Sequence, residues 1–229
     1  MHAKSASLSF LKHFPGAVLA VLLCFSARAQ YKDAGLWASA SLEKKLDRRL
    51  SVTLAPQIRL NENITELYKY FADAGISYKL KDLRFSFNYR FLNQRRLDDS
   101  YSRRHRFFFD LAYKLKLERL SITYRLRYQN QFNDIGVSED WQVPSKYVRN
   151  KLAIKYLTDG KFQPFVSGDL WYHLQPSGSE FNNFRFSLGT SYELNKFSSI
   201  DLAYIINKEF NSNNPVTSYI ISLGYNYSF

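Results

Sequence analysis

The stretch TSYIISLGYNYSF, Thr217 to Phe229, closes the chain on a strict alternation. Its odd positions are Thr217, Tyr219, Ile221, Leu223, Tyr225, Tyr227 and Phe229, and its even ones Ser218, Ile220, Ser222, Gly224, Asn226 and Ser228. A period of two places successive side chains on opposite faces of a strand, so this is β-structure with one apolar and one polar face. What the apolar face looks at, lipid or a core, decides the class of the protein.

The same alternation runs back through the sequence. Leu50, Val52, Leu54, Ile58 and Leu60 alternate with Ser51, Thr53, Gln57 and Arg59. Tyr68, Tyr70, Ala72, Ala74, Ile76, Tyr78 and Leu80 oppose Lys69, Asp73, Ser77 and Lys79. Leu83 to Phe91 opposes Arg84, Ser86, Asn88 and Arg90, and Phe107 to Leu115 opposes Arg106, Asp110 and Lys114, with Phe108 out of pattern. Further runs set Arg125 and Arg127, then Arg149, Lys151 and Lys155, then Ser167, Asp169 and His173 with Trp171, then Arg185 and Glu193, against apolar partners. Each run holds roughly 10 to 14 residues, longer than the ~5 to 6 of a soluble strand and close to the ~9 to 11 that cross a bilayer at a tilt. Short connections (Lys81-Asp82, 117–119, 158–161, 195–197) interleave with longer polar ones (61–66, 93–102, 133–145, 175–180, 211–216), the asymmetry of an outer-membrane barrel.

Composition narrows the class further. The chain has 229 residues, 17% of them aromatic and 23% charged, with 17 Tyr and 19 Phe. Residues 1–29 have the order of an export signal: Lys4 and Lys12, an apolar stretch from Phe14 to Phe25, then Ala27 and Ala29 framing a cleavage site. Residues 30–229 then form one domain. Cys24, the only cysteine, lies in the signal, so no disulfide is expected, and Leu23 before it argues against lipid attachment. The segment carries three bases and no acid, which leaves 29 basic and 20 acidic residues, a net charge of +9.

Periodicity alone does not say which way the apolar face points, since a soluble calyx turns it inward and a membrane barrel outward. Several dozen Phe, Tyr, Leu and Ile side chains would make an aromatic mass too large for a barrel interior, whereas lipid accepts them without any fit. Aromatic residues also gather near the ends of runs, at Tyr68 and Tyr70, Tyr89 and Phe91, and Tyr225 to Phe229, as interfacial girdles require. Bacterial outer-membrane barrels commonly end on an aromatic residue read by their assembly machinery, and Phe229 fits that signal. The fold expected is therefore all-β: a transmembrane antiparallel up-and-down β-barrel of about 10–12 strands.

Several segments carry a family likeness: GLWASASLEKKL, RRLSVTLAPQIRLNEN, AGISYKLKDLRFSFNYRF, RRHRFFFDLAYKLKL and ITYRLRYQNQF. The chain resembles, over most of residues 35 to 229, the bacterial domain of unknown function 2490 family, seen mainly in Bacteroidetes. The resemblance implies an exported barrel and brings no activity, ligand or catalytic residue.

About eleven runs are visible, the first being Leu36 to Leu42, whereas bacterial single-chain barrels have an even number of strands. Ten strands with the first run in the lumen, or twelve with one unseen, are the two alternatives.

The inner face is expected to hold Arg84, Arg90, Arg104, Arg106, Arg125, Arg127, Arg149, Lys151, Lys155 and Arg185 among Asp73, Asp110, Asp169, Glu193, Asp201 and Glu209. Such charges are hydrated or paired. The lumen is therefore either a salt-bridged plug or a small pore or cavity favouring an anionic solute. A barrel hydrolase is the alternative: His105 and His173 are the only histidines after the signal, and Asp169 with Ser167 or Ser177 would complete a Ser-His-acid set, although no nucleophile motif accompanies them. A soluble periplasmic calyx is a further alternative. No cofactor or metal is expected, since neither metal-ligand spacing nor a phosphate loop is present. Arg125 and Arg127 face away from Tyr124 and Tyr128, which argues against nucleic acid. RLDDSYSRRHR, Arg96 to Arg106, is expected to be a hydrated outer loop. The expected partners are outer-membrane lipid and the barrel assembly machinery, in the outer membrane of a Gram-negative cell.

Overall fold

Residues 31–133, 144–175, 178–211 and 215–229 are described by the structure, a computed structural model. They form eleven strands: β1 (Tyr31–Lys45), β2 (Leu50–Asn61), β3 (Glu66–Leu80), β4 (Leu83–Arg95), β5 (Tyr101–Lys116), β6 (Leu120–Asn133), β7 (Ser145–Tyr156), β8 (Phe162–Leu174), β9 (Glu180–Glu193), β10 (Ser198–Glu209) and β11 (Val216–Ser228). Each pairs antiparallel with its neighbour in sequence, and β1 meets β11 to close the barrel. The export signal, with Ala27 and Ala29, lies outside the described residues.

Neither ten nor twelve strands is correct. An odd count closes only if one pair runs parallel, and β1 and β11 do so from Tyr31↔Val216 to Glu43↔Ser228. The seam continues past the strand ends: the Phe229 N–H donates to the Glu43 carbonyl at 3.0 Å, and the Lys45 N–H donates to the Phe229 carbonyl at 2.8 Å. The first strand is a full member of the wall, longer than the run Leu36 to Leu42. Eleven strands also put the start of β1 at one end of the barrel and the end of β11 at the other.

Turn lengths differ on average between those two ends. The connections 46–49, 81–82, 117–119, 157–161 and 194–197 lie with Phe229, and those from 62–65 and 96–100 up to the longest, 134–144, lie with Tyr31. The β1–β2 turn is set by Asp47, whose carboxylate accepts from the N–H groups of Arg49 and Leu50 at 2.5 and 2.7 Å. Those two donors hold its pKa below the ordinary carboxylate value. The connection before β5 is shorter than expected. Only 96–100 form the turn, and Tyr101 to Arg106 already belong to the strand.

The apolar face points outward. Ile76, Phe85, Phe87, Phe109, Leu111, Leu188, Leu202, Ile221 and Leu223 are all exposed, with Phe109 at 58%. The opposite parity is covered: Ser51, Ser121, Arg127, Arg149, Asp169, Ser187 and Ser191 are buried. This is the reverse of a calyx, so the soluble alternative with an inward apolar face does not describe the chain.

Tyr68 departs from the expected parity. The register passes from Arg59↔Lys69 to Leu60↔Leu67 and leaves Tyr68 unopposed. An extra residue in a bulge shifts the phase of alternation, and Tyr68 turns to the lumen, where its hydroxyl accepts from Gln94 at 2.9 Å. It is therefore not part of an outer aromatic girdle.

Candidate functional site

Alternation sends every second side chain of each strand into the lumen, and at mid-height these meet as a belt. From β1 onward it comprises Trp37, Arg59, Phe71, Arg90, Phe108, Arg127, Arg149, Trp171 and Arg185, one from each of nine strands. The Arg59 guanidinium lies 3.7 Å from the Trp37 ring centre and 5.0 Å from that of Phe71. Arg90 lies 3.7 Å from Phe71 and 5.9 Å from Phe108, and Arg127 lies 3.9 Å from Phe108. Arg149 sits 4.0 Å from Trp171, and Arg185 reaches both Trp171 at 5.2 Å and Trp37 at 4.6 Å, which closes the circuit. The alternation of cation and ring breaks once, where Arg127 and Arg149 are register partners. The two remaining strands contribute Ile205 and Ile220, which pack with Ala203 against Trp37 and Phe165.

Carboxylates neutralise one side of this belt. Asp73 takes both Nε and Nη2 of Arg90 at 2.5 and 2.7 Å, and Asp110 takes the same pair of Arg127 at 2.6 and 2.7 Å. Asp169 binds Arg149 and lies 3.6 Å from Arg125. Two-pronged pairing of this kind fixes a guanidinium plane, and desolvated cation–π contacts add up to about 2 kcal/mol each. Part of the belt and its neighbours is out of reach of water: Phe108 is 2% exposed, Asp169 3%, and Gln129 not at all, while Trp37, Arg59, Arg90, Trp171 and Arg185 are half-buried.

Arg59 and Arg185 are different. Among the described residues neither forms an ion pair with a carboxylate; Arg59 donates to the Gln57 side chain at 2.9 Å and Arg185 to Asn207 at 3.1 Å. Above them, towards the longer loops, opens a cavity of about 380 Å³ lined by Trp37, Arg59, Tyr68, Lys69, Trp171, Asn183, Arg185 and Asn207, with Asp33, Glu62 and Glu209 nearer its rim.

The other expected lumenal charges fall into place around the belt. Arg106 donates to Gln131, and Arg104 to Ser102 at 3.2 Å. Lys151 is the register partner of Asp169. Lys155 donates to Ser191 at 2.9 Å, and Ser191 in turn donates to Asp201. Arg84 pairs with Glu43 at the short-turn mouth, where Glu193 is also exposed.

The hydrolase set does not assemble. His173 stacks on Tyr147 with centroids 4.3 Å apart and shares a 2.6 Å hydrogen bond with Gln175, while Asp169 is occupied by arginines. At ~3.3 Å per strand residue, Asp169 and His173 are separated by about 13 Å, beyond hydrogen-bond reach. His105 points outward, bonded to the Tyr89 hydroxyl at 2.6 Å. Ser177 lies outside the described residues.

Trp37 and Phe71 were assigned to neither face, and Arg59 and Lys69, on the polar face by parity, were left out of the expected lumenal charges. Their signal was available: each is a large residue on the polar parity of its strand, and so are Phe108 and Trp171.

A closed barrel, apolar outside and charged within, has the architecture of outer-membrane-type barrels. The chain belongs to the family described as protein of unknown function DUF2490, whose sequence model matches residues 34–218. No curated protein matches it. Among solved structures it is similar to an anion-selective porin from Comamonas acidovorans, at 11% identity and TM-score 0.38, covering 75% of this chain and 51% of the porin. The chain thus spans about half the length of that porin. It is also similar to the β domain of the Bordetella autotransporter BrkA (11%, TM-score 0.43, 79% and 82% covered) and to the translocator domain of autotransporter NalP from Neisseria meningitidis (13%, 0.35, 90% and 91%). Likenesses of this order relate one barrel to another and carry nothing about activity.

Proposed function

We propose that this protein is a non-enzymatic barrel of the Gram-negative outer membrane, exported by a cleaved signal and inserted by the barrel assembly machinery, whose lumen is closed at the waist. The observation that carries the closure is the circuit of Arg and aromatic side chains across the lumen, of which Phe71, Phe108, Arg127 and Arg149 are buried. A diffusion pore needs a continuous hydrated path, and a belt from nine of the eleven wall strands, with Ile205 and Ile220 on the other two, denies one. The exposed apolar outer face supports the membrane placement. So do the strand lengths: 12 to 16 residues at ~3.3 Å each and a ~45° tilt span about 28 to 37 Å, enough for a hydrocarbon core of ~30 Å.

Fractionation of expressing cells, followed by planar-bilayer recording of the purified protein, tests both parts. The expected result is an outer-membrane species with heat-modifiable gel mobility and no steady conductance. A soluble product overturns the membrane placement, and stable open steps overturn the closed waist.

The two faces of β5 supply a sharper check on orientation. Phe109→Arg puts a charge on the outer face near mid-strand and is expected to cost about 2–4 kcal/mol in vesicle unfolding experiments, the range for Arg near a bilayer midplane. An effect near zero would mean that Phe109 does not face lipid.

A further inference from the structure

Three cations at the floor of the long-loop cavity, Arg59, Lys69 and Arg185, are held without carboxylate ion pairs among the described residues, beside two indole rings. Elsewhere in the belt each arginine has an aspartate: Arg90 has Asp73, Arg127 has Asp110 and Arg149 has Asp169. The difference is local to the part of the belt that lines the cavity. Arg59 and Lys69 are register partners across β2 and β3, so their like charges are adjacent, while Arg59 and Arg185 share the Trp37 ring. Gathering like charges in a concave, partly desolvated space is costly unless a counter-charge joins them.

Among the described residues, two donors at the same place have no hydrogen-bond partner. Arg59 Nε and the Trp171 indole N–H are buried with no hydrogen bond, and both residues line the cavity. An acceptor-rich, negatively charged group satisfies both. The lining carboxylates are poorly placed to do so. Asp33 accepts from the Asn63 backbone at 3.1 Å, Glu62 belongs to the β2–β3 turn and Glu209 ends β10, all near the rim. The volume of about 380 Å³ lies within the range of small-molecule sites, and the half-buried indole rings in its lining offer apolar surface to the body of a sugar or a flat organic acid.

We propose that this cavity binds a small oxyanion-bearing solute, its carboxylate or phosphate seated on Arg59, Lys69 and Arg185 and its body against Trp37 and Trp171. Entry is from the long-loop mouth.

The test uses the full barrel refolded in detergent, with titration followed by calorimetry and tryptophan fluorescence. Inorganic phosphate, glucuronate and glucose serve as probes. Saturable binding of phosphate or glucuronate is expected, with glucose at least tenfold weaker. Phosphate binding as tightly as glucuronate assigns the affinity to the oxyanion alone, and a glucuronate advantage adds the ring contact. Arg185→Gln and Lys69→Gln are each expected to weaken anion binding at least tenfold, since a hydrogen bond to a charged group accounts for that much. Arg119→Gln, at an exposed turn on the opposite end, should leave it unchanged. Lys69 stands outside the Arg–aromatic circuit, so its variant decides if Arg185→Gln fails to regain heat-modifiable mobility. No saturation by either anion, equal affinity for glucose, or indifference to Lys69→Gln overturns the proposal. Conductance through the wild-type barrel would remove the closed waist and leave this test standing.

Discussion

Asp169→Ala is expected to destabilise the barrel by about 3–5 kcal/mol, the cost of leaving a buried cation without its partner. Asp169 is 3% exposed and serves Arg149 directly and Arg125 at 3.6 Å. Its removal strands a guanidinium that is itself 6% exposed, held between Trp171 and the like-charged Arg127. Asp169→Asn keeps an acceptor and the shape but not the charge, so it should fall between. Replacing both members, Asp169→Leu with Arg149→Leu, removes charge and counter-charge together and should recover much of the loss, because an apolar pair of similar volume carries no desolvation penalty. Urea unfolding of each variant in lipid vesicles checks the order. If Asp169→Ala unfolds within about 1 kcal/mol of the wild type, Arg149 is reached by water and the waist is wetter than its burial implies.

The apolar half of the fold was legible because it depends only on parity. Residues such as Tyr225, Tyr227 and Phe229 need no partner to declare their face; two-residue periodicity and bulk suffice. Local register changes were not legible. Nothing in ELYKY states that Tyr68 is skipped by the ladder, since a bulge is fixed by how β2 and β3 meet and not by the residues themselves. Closure was invisible for a related reason. An odd number of strands conflicts with antiparallel pairing, and only the three-dimensional seam between Gly35 or Leu36 and Ile220 or Ile221 resolves it in favour of a parallel pair. In the lumen, individual charges could be assigned to the inner face from their parity. Their grouping could not, because Trp37, Phe71, Phe108 and Trp171 come from different strands along the whole sequence, and on each strand a large ring amid mostly polar or charged residues looks like an exception. Phe108 is the clearest case. It breaks the pattern of β5 as a sequence and completes the belt as a structure.

Phe71→Ser combined with Phe108→Ser should convert a closed barrel into an anion-preferring channel. Phe71 and Phe108 fill the lumen beside β3 to β5 and are 6% and 2% exposed. Each also separates neighbouring arginines: Phe71 stands between Arg59 and Arg90, and Phe108 between Arg90 and Arg127. Removing both rings deletes volume without stranding a charge, since Arg90 and Arg127 keep Asp73 and Asp110. Water can then occupy the vacated positions and hydrate the guanidinium groups, which favours survival of the wall. The belt would retain five arginines facing three aspartates, so the potential in the opened path is positive and anions should pass preferentially. Planar-bilayer recording in a salt gradient reads this as discrete steps, absent from the wild type, with a reversal potential displaced towards that of the anion. Reversal on the cation side would mean that the rim carboxylates and not the belt set the field. Continued silence from a barrel of normal heat-modifiable mobility would mean that the arginine side chains alone close the lumen, with the rings only holding them in place.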